Sequence, residues 1–192
     1  MIPLVVKSTD PLAVEKSINI LKKGGVIVYP TDTLYGFGVD ANNNYAIERI
    51  NKLKNRHSPM SVIACRFEQA MSWTNIKEKD IEIAKKILDS SSTLILDSKK
   101  NIVSNKILGM NNTTLGVRIP KHRYCYDVSK EYDKPITTTS VNRSGEQPLN
   151  DPKLISKIFG EGIDLLIDDG KIKKSVGSKI YELKDSQPIR IR

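Results

Sequence analysis

Four groups of side chains in this 192-residue chain have types and spacings suited to holding a small anionic ligand. Pro30-Thr31-Asp32-Thr33 puts two hydroxyls and a carboxylate just after an apolar run, the place where α/β folds present donors to ligands. Lys54 and Arg56 follow, two residues apart. On a continuing helix they would point about 200° from each other, so they converge only if the helix has ended. His57-Ser58-Pro59 supplies that stop. Converged, a lysine point charge and an arginine fork suit a polyphosphate; unconverged, they are ordinary solvated charge.

Gly116-Val117-Arg118-Ile119-Pro120 sets one arginine in an otherwise apolar strand. A buried charge without a partner is strongly destabilising, so Arg118 needs an anion, either a ligand or an internal carboxylate. Thr137-Thr138-Thr139-Ser140-Val141-Asn142 ends another strand in hydroxyls and an amide, with Ser144-Gly145 just after it. Such groups can hydrogen-bond a base, a ribose or a phosphate, and they are also common at strand ends.

Other chemistries are not supported. No GxxxxGK[ST] loop occurs, and Gly36 and Gly38 do not complete GxGxxG. No serine nucleophile elbow or paired catalytic carboxylate motif appears. Cys65 and Cys125, with only His57 and His122 besides, have no zinc-ligand spacing and read as reduced packing residues. No metal triad appears either, and a nucleotide, if bound, must be held by other means.

The elements that must position these groups alternate. Apolar β-prone runs fall at 4–6, 26–29, 61–65, 93–96, 116–119, 136–139, 165–167 and 179–183, several of them continuous, as in strands covered on both faces. Helical patterns lie between them. Asp10 can cap a helix with Pro11 at its first position, striped by Val14, Ile18 and Leu21 and ended by Gly24-Gly25. Further helices are predicted over 45–53, 67–72, 77–88, 121–131 and 152–159. In 24–56 the pattern reads as strand, glycine-containing turn and helix. The fold class is therefore α/β, one domain over residues 1–192 with a mixed sheet. No long apolar run or signal-like start occurs, so the expectation is a cytoplasmic protein away from membranes. The net charge of +9 fits phosphate-bearing partners and equally a solvated lysine-rich surface.

Taken together the motifs resemble the YrdC-like family of threonylcarbamoyl-AMP synthases in its short, single-domain form. The resemblance runs in order through PTDTLYGFG, KNR, GVRIP, SVN with SG after it, the Ser178 region and the terminal PIRIR. It implies a twisted mixed sheet with flanking helices around a concave basic cavity. It also implies that L-threonine, bicarbonate and ATP, with Mg²⁺, yield threonylcarbamoyl-AMP and pyrophosphate. A separate transferase complex would use that product to modify adenosine 37 of tRNAs reading ANN codons. By position, Thr33, Arg118 and Ser178 look like threonine contacts, Arg118 pairing the carboxylate. Lys54 and Arg56 look like the catalytic cations on the ATP phosphates. Thr114, Thr138, Ser140, Asn142 and Arg192 resemble the remaining nucleotide contacts. Lys54→Ala or Arg56→Ala is then expected to reduce ATP turnover sharply with the fold intact.

The chain departs from the family pattern in places. His57-Ser58-Pro59-Met60 is two residues shorter than the usual segment, and Ile63 stands where a histidine is frequent. Two other readings compete: a non-enzymatic module binding tRNA or double-stranded RNA, and a relative acting on another carbamoyl or nucleotide substrate. RNA binding calls for a broad basic surface, whereas the synthase requires Lys54, Arg56, Arg118 and Arg192 turned into one pocket.

Overall fold

The computed structural model describes residues 2–55, 57–173 and 177–192. Its strands are β1 (Leu4–Lys7), β2 (Ile27–Pro30), β3 (Tyr35–Gly38), β4 (Ser61–Ile63), β5 (Thr74–Asn75), β6 (Thr93–Ser98), β7 (Thr114–Arg118), β8 (Ile136–Ser140), β9 (Leu165–Asp168), β10 (Ile180–Lys184) and β11 (Gln187–Arg190). They form one mixed sheet in the order β1-β9-β2-β3-β8-β4-β7-β6-β10-β11, with β5 paired to β6. Strand β8 runs antiparallel to both β3 and β4 and so joins the two halves.

Strand β2 shows why the apolar runs are continuous. Val28 packs in one cluster with Tyr35, Phe37, Leu94 and Val117. Its neighbours Ile27 and Tyr29 pack in another with Tyr124, Val128 and Ile136. Successive strand residues point to opposite faces, so both faces of this strand are covered. Helices α2 (Asn44–Lys54), α4 (Ile81–Asp89) and α6 (Pro152–Phe159) supply residues to the first cluster, and α1 (Ala13–Lys22) and α5 (Arg123–Tyr132) to the second. Helix α3 (Phe67–Trp73) adds Ala70 and Trp73 to the first.

Several boundaries differ from the sequence expectation. The glycine-containing turn after β2 is strand β3, antiparallel to β2 with Val28 opposite Phe37. Its two glycines read as turn signals but serve packing: a Cβ on Gly38 would lie 2.6 Å from Cε1 of the buried Tyr29 ring. Strands β5 and β11 had no apolar run to mark them; β11 is an exposed edge strand. Asp10 does not cap α1 directly. Its carboxylate accepts the Leu12 N–H at 2.8 Å, and the helix begins at Ala13. The pattern over 77–88 breaks into a 3₁₀ turn at Glu78–Asp80 and then α4. Among the described residues, no helix is long and apolar enough to cross a membrane.

Candidate active site

Helices α1 and α5 cover only part of one sheet face, over Ile27, Tyr29, Ile63 and Ile136. Side chains two apart on a strand share a face, so Ser61 continues the Ile63 side of β4, and Thr138 and Ser140 continue the Ile136 side of β8. There the apolar residues stop. Gly36, Ser61, Thr93, Arg118, Thr138 and Ser140 instead line a cavity of about 380 Å³, a size suited to a small-molecule ligand. They are cross-strand neighbours: Gly36 opposite Ser140, Ser61 opposite Thr138, and Thr93 opposite Arg118. A Cβ on Gly36 would come within 3.2 Å of Thr138 Oγ1, so glycine leaves that hydroxyl room.

Arg118 ends β7 and is 5% exposed. The sequence left its partner open between a ligand and an internal carboxylate, and the structure supplies the carboxylate. Arg118 Nη2 donates to Asp32 Oδ1 at 2.5 Å. Its Nε is buried with no hydrogen-bond partner. Such an orphan donor is uncommon, and a site awaiting a ligand is one reason for it. Asp32 sits in the β2–β3 connection, which Thr31 locks. The Thr31 hydroxyl accepts the N–H groups of Thr33 at 3.2 Å and Leu34 at 3.1 Å, and donates to the Leu34 carbonyl at 2.7 Å.

Lys54 is the last residue of α2, which stops because Asn55 adopts a left-handed conformation at φ 52°. The helix end required for convergence is therefore present, but Arg56 lies outside the described residues. Lys54 is 3% exposed. Its ammonium donates to the Ser140 carbonyl at 2.5 Å and to the carbonyl and Oδ1 of Asn142, both at 3.0 Å. Ser140 Oγ donates to the same Asn142 Oδ1 at 2.6 Å. Lys54 lines the cavity, yet it also holds together the loop that follows β8. Truncating Lys54 would remove these three bonds, although the Ser140 carbonyl would still accept the Asn142 N–H at 3.1 Å and Asn142 Oδ1 would still accept the Ser140 hydroxyl at 2.6 Å.

Of the other expected residues, Thr138, Ser140, Asn142, Ser178 and Arg192 line the same cavity. The Ser178 and Thr93 hydroxyls are 2.9 Å apart. The backbone of Arg192 pairs with Ile180, its carbonyl accepting the Ile180 N–H at 3.1 Å. Thr33 stands one step back, its hydroxyl 3.3 Å from that of Thr31, which does line the cavity. Thr114 does not join them. It lies at the far end of β7 and lines a separate hollow with Asp97 and Glu182. Thr114 is four strand steps from Arg118, a distance of roughly 13 Å at about 3.3 Å per residue.

Among the described residues, Lys54, Arg118 and Arg192 face this cavity against one lining carboxylate, Glu146. These are three of the four cations that the synthase reading requires in one pocket; the fourth, Arg56, lies outside the described residues. Ser61, Thr93 and Glu146 were missed as lining residues; Ser61 and Thr93, polar residues opening apolar strands, were usable signals, whereas Glu146 lies in a loop. Both cysteines are buried and free. Burial pushes the thiols of Cys65 and Cys125 up, so neither is a nucleophile at neutral pH.

Known proteins bear on this geometry. The Sua5/YciO/YrdC family model, described as "Telomere recombination", matches residues 19–192. A protein of Psychromonas ingrahamii named threonylcarbamoyl-AMP synthase is 27% identical over 181 residues, covering 91% of this chain and 94% of that protein. A Pyrococcus abyssi protein of the same name is 28% identical over 177 residues, covering 91% of this chain. This chain spans only about half (52%) of that longer relative. The crystal structure of P. abyssi Sua5 complexed with L-threonine superposes with a TM-score of 0.87 at 25% identity, over 100% of this chain and 57% of that one. The mixed α/β fold, the cavity at its open sheet face and the match over 19–192 agree: the chain belongs to the Sua5/YciO/YrdC family.

Proposed function

We propose that this protein is a threonylcarbamoyl-AMP synthase, a nucleotidyl-transferring enzyme that converts L-threonine, bicarbonate and ATP to threonylcarbamoyl-AMP, pyrophosphate and water. The observation that carries the reading is the division of one cavity. Arg118, with a donor still unpartnered, stands at one side, and the hydroxyl and amide groups of Thr138, Ser140 and Asn142 stand at the other. The first side suits an amino-acid carboxylate and the second a nucleotide. The relatives named threonylcarbamoyl-AMP synthase and the threonine complex of the Pyrococcus protein support the same assignment.

The residue types fit the chemistry. The threonine amine attacks the carbon of bicarbonate or carbon dioxide to give a carbamate, whose oxygen attacks the α-phosphorus as pyrophosphate leaves. Neither step needs a protein nucleophile. The protein's contribution is orientation and cancellation of charge. Arg118 and Ser178 would hold threonine, and Arg192 and the Ser140–Asn142 loop clamped by Lys54 would hold the nucleotide. Mg²⁺ is assigned to the ATP substrate. No cluster of three acidic, histidine or cysteine ligands exists among the described residues, so no dedicated protein cage fits it. The product would pass to a separate threonylcarbamoyl transferase acting on tRNA.

Pyrophosphate release from MgATP, with L-threonine and bicarbonate each supplied or withheld, tests the proposal. Release that requires both, with the adenylate seen by mass, is the expected result. ATP binding without threonine dependence would point to another substrate, and absence of ATP binding would overturn the assignment.

A further inference from the structure

We propose that Asp32 is a positioning residue for the amino-acid substrate, holding the Arg118 guanidinium from behind so that its remaining donors face the cavity. This rests on the synthase reading above. Asp32 touches Arg118 through one oxygen at 2.5 Å, and the two side chains are 14% and 6% exposed. In that setting the charge-assisted bond is stronger than in water and fixes the plane of the guanidinium.

The direction of approach is what separates a positioning role from competition with substrate. Thr31 and Leu34, on either side of the connection, line the cavity, and so does Arg118; Asp32 does not. Its carboxylate therefore reaches the arginine from the wall, leaving the cavity side to an incoming carboxylate. The wall itself is held in place. Thr31 closes the connection with its own hydroxyl, and Cys125 beneath it donates its Sγ–H to the Pro30 carbonyl at 3.2 Å. Arg118 is held in turn by its strand, opposite Thr93 on one side and Ile63 on the other. One carboxylate on one donor balances the buried guanidinium charge, while the buried Nε is left unpartnered. Asp32 is thus the counter-ion that pre-forms an amino-acid carboxylate site.

The test is steady-state kinetics of pyrophosphate release by wild type, Asp32→Asn and Asp32→Glu, with L-threonine and ATP varied separately. Wild type must first show threonine-dependent release; its failure would sink the synthase reading and this proposal with it, whereas the Asp32 variants test this proposal alone. Given that activity, Asp32→Asn should raise KM for L-threonine by about 10- to 100-fold, the scale of a misplaced binding group. KM for ATP should stay within about threefold, and Asp32→Glu should recover part of the loss. Thermal melting of each variant separates this split from general unfolding, which would move both KM values or the yield of active protein. An unchanged KM for L-threonine in a folded Asp32→Asn protein overturns the proposal. So does a lowered KM, which would make Asp32 a placeholder that substrate displaces.

Discussion

The Lys54 ammonium lies 2.5 Å from the Ser140 carbonyl and 3.0 Å from Asn142 Oδ1, tying the end of α2 to the end of β8. Lys54→Ala should therefore damage stability as well as activity. Losing charge-assisted bonds to part-buried acceptors that keep some of their other donors should cost about 1.5–3 kcal/mol. Urea denaturation would measure it. A variant as stable as wild type would mean that the loop after β8 does not depend on this clamp.

Ser178 and Thr114 make a contrasting pair. Ser178 faces the cavity with Thr93, whereas Thr114 lines another hollow. Ser178→Ala should raise KM for L-threonine by about 3- to 30-fold, roughly the worth of one hydrogen bond. Thr114→Ala should leave the KM values for both substrates unchanged. A nucleotide-binding defect in Thr114→Ala would restore the role that the family resemblance implied for it.

Gly38→Ala puts a methyl 2.6 Å from Tyr29 Cε1 and 3.2 Å from Ile136 Cγ2. The tyrosine ring cannot swing away, since it is fully buried and its hydroxyl donates to the Thr137 carbonyl at 3.0 Å. Overpacking of this kind costs about 1–3 kcal/mol. Chemical denaturation should report that loss, and an unaltered midpoint would show that β2 and β3 can part without penalty.

Asp168 links stability to pH. Burial raises its pKa, but the bonds from Lys7 and from the Gly170 N–H outweigh this and hold it below the ordinary 3.8. A depressed carboxylate stabilises the fold fully above its unfolded-state pKa, and the contribution is lost as pH falls through the folded value. Lys7 is 68% exposed, so screening limits the pair, and Asp168→Asn should cost only about 1 kcal/mol at pH 7. The gap between wild type and variant, followed by urea denaturation, should narrow steadily below pH 3.8. A gap independent of pH would assign the effect to packing.

Much of this architecture can be read from local pattern. The runs at 26–29, 136–139 and 165–167 are strands because continuous apolar residues are stable only with both faces covered. Helix α6 falls at Pro152–Phe159 as predicted, since Asp151 and Pro152 announce its start locally. The polar interruptions at Arg118, Thr138 and Ser140 are local too, and they marked the cavity wall correctly.

What the residues alone could not determine is which partner each group meets. Arg118 was bound to find an anion, but that the anion is Asp32, 86 positions away in sequence, follows only from the β2–β3 connection reaching the end of β7 in space. Lys54 looked like a free phosphate ligand until β8 brought two carbonyls and an amide to it. Gly36 and Gly38 looked like a turn because glycine's backbone freedom is a local property, while the tyrosine ring that excludes a side chain arrives from the neighbouring strand. Period and capping are properties of a few adjacent residues and are written in sequence. Charge pairing and steric exclusion depend on strand order, which is decided by how the whole chain buries its two clusters.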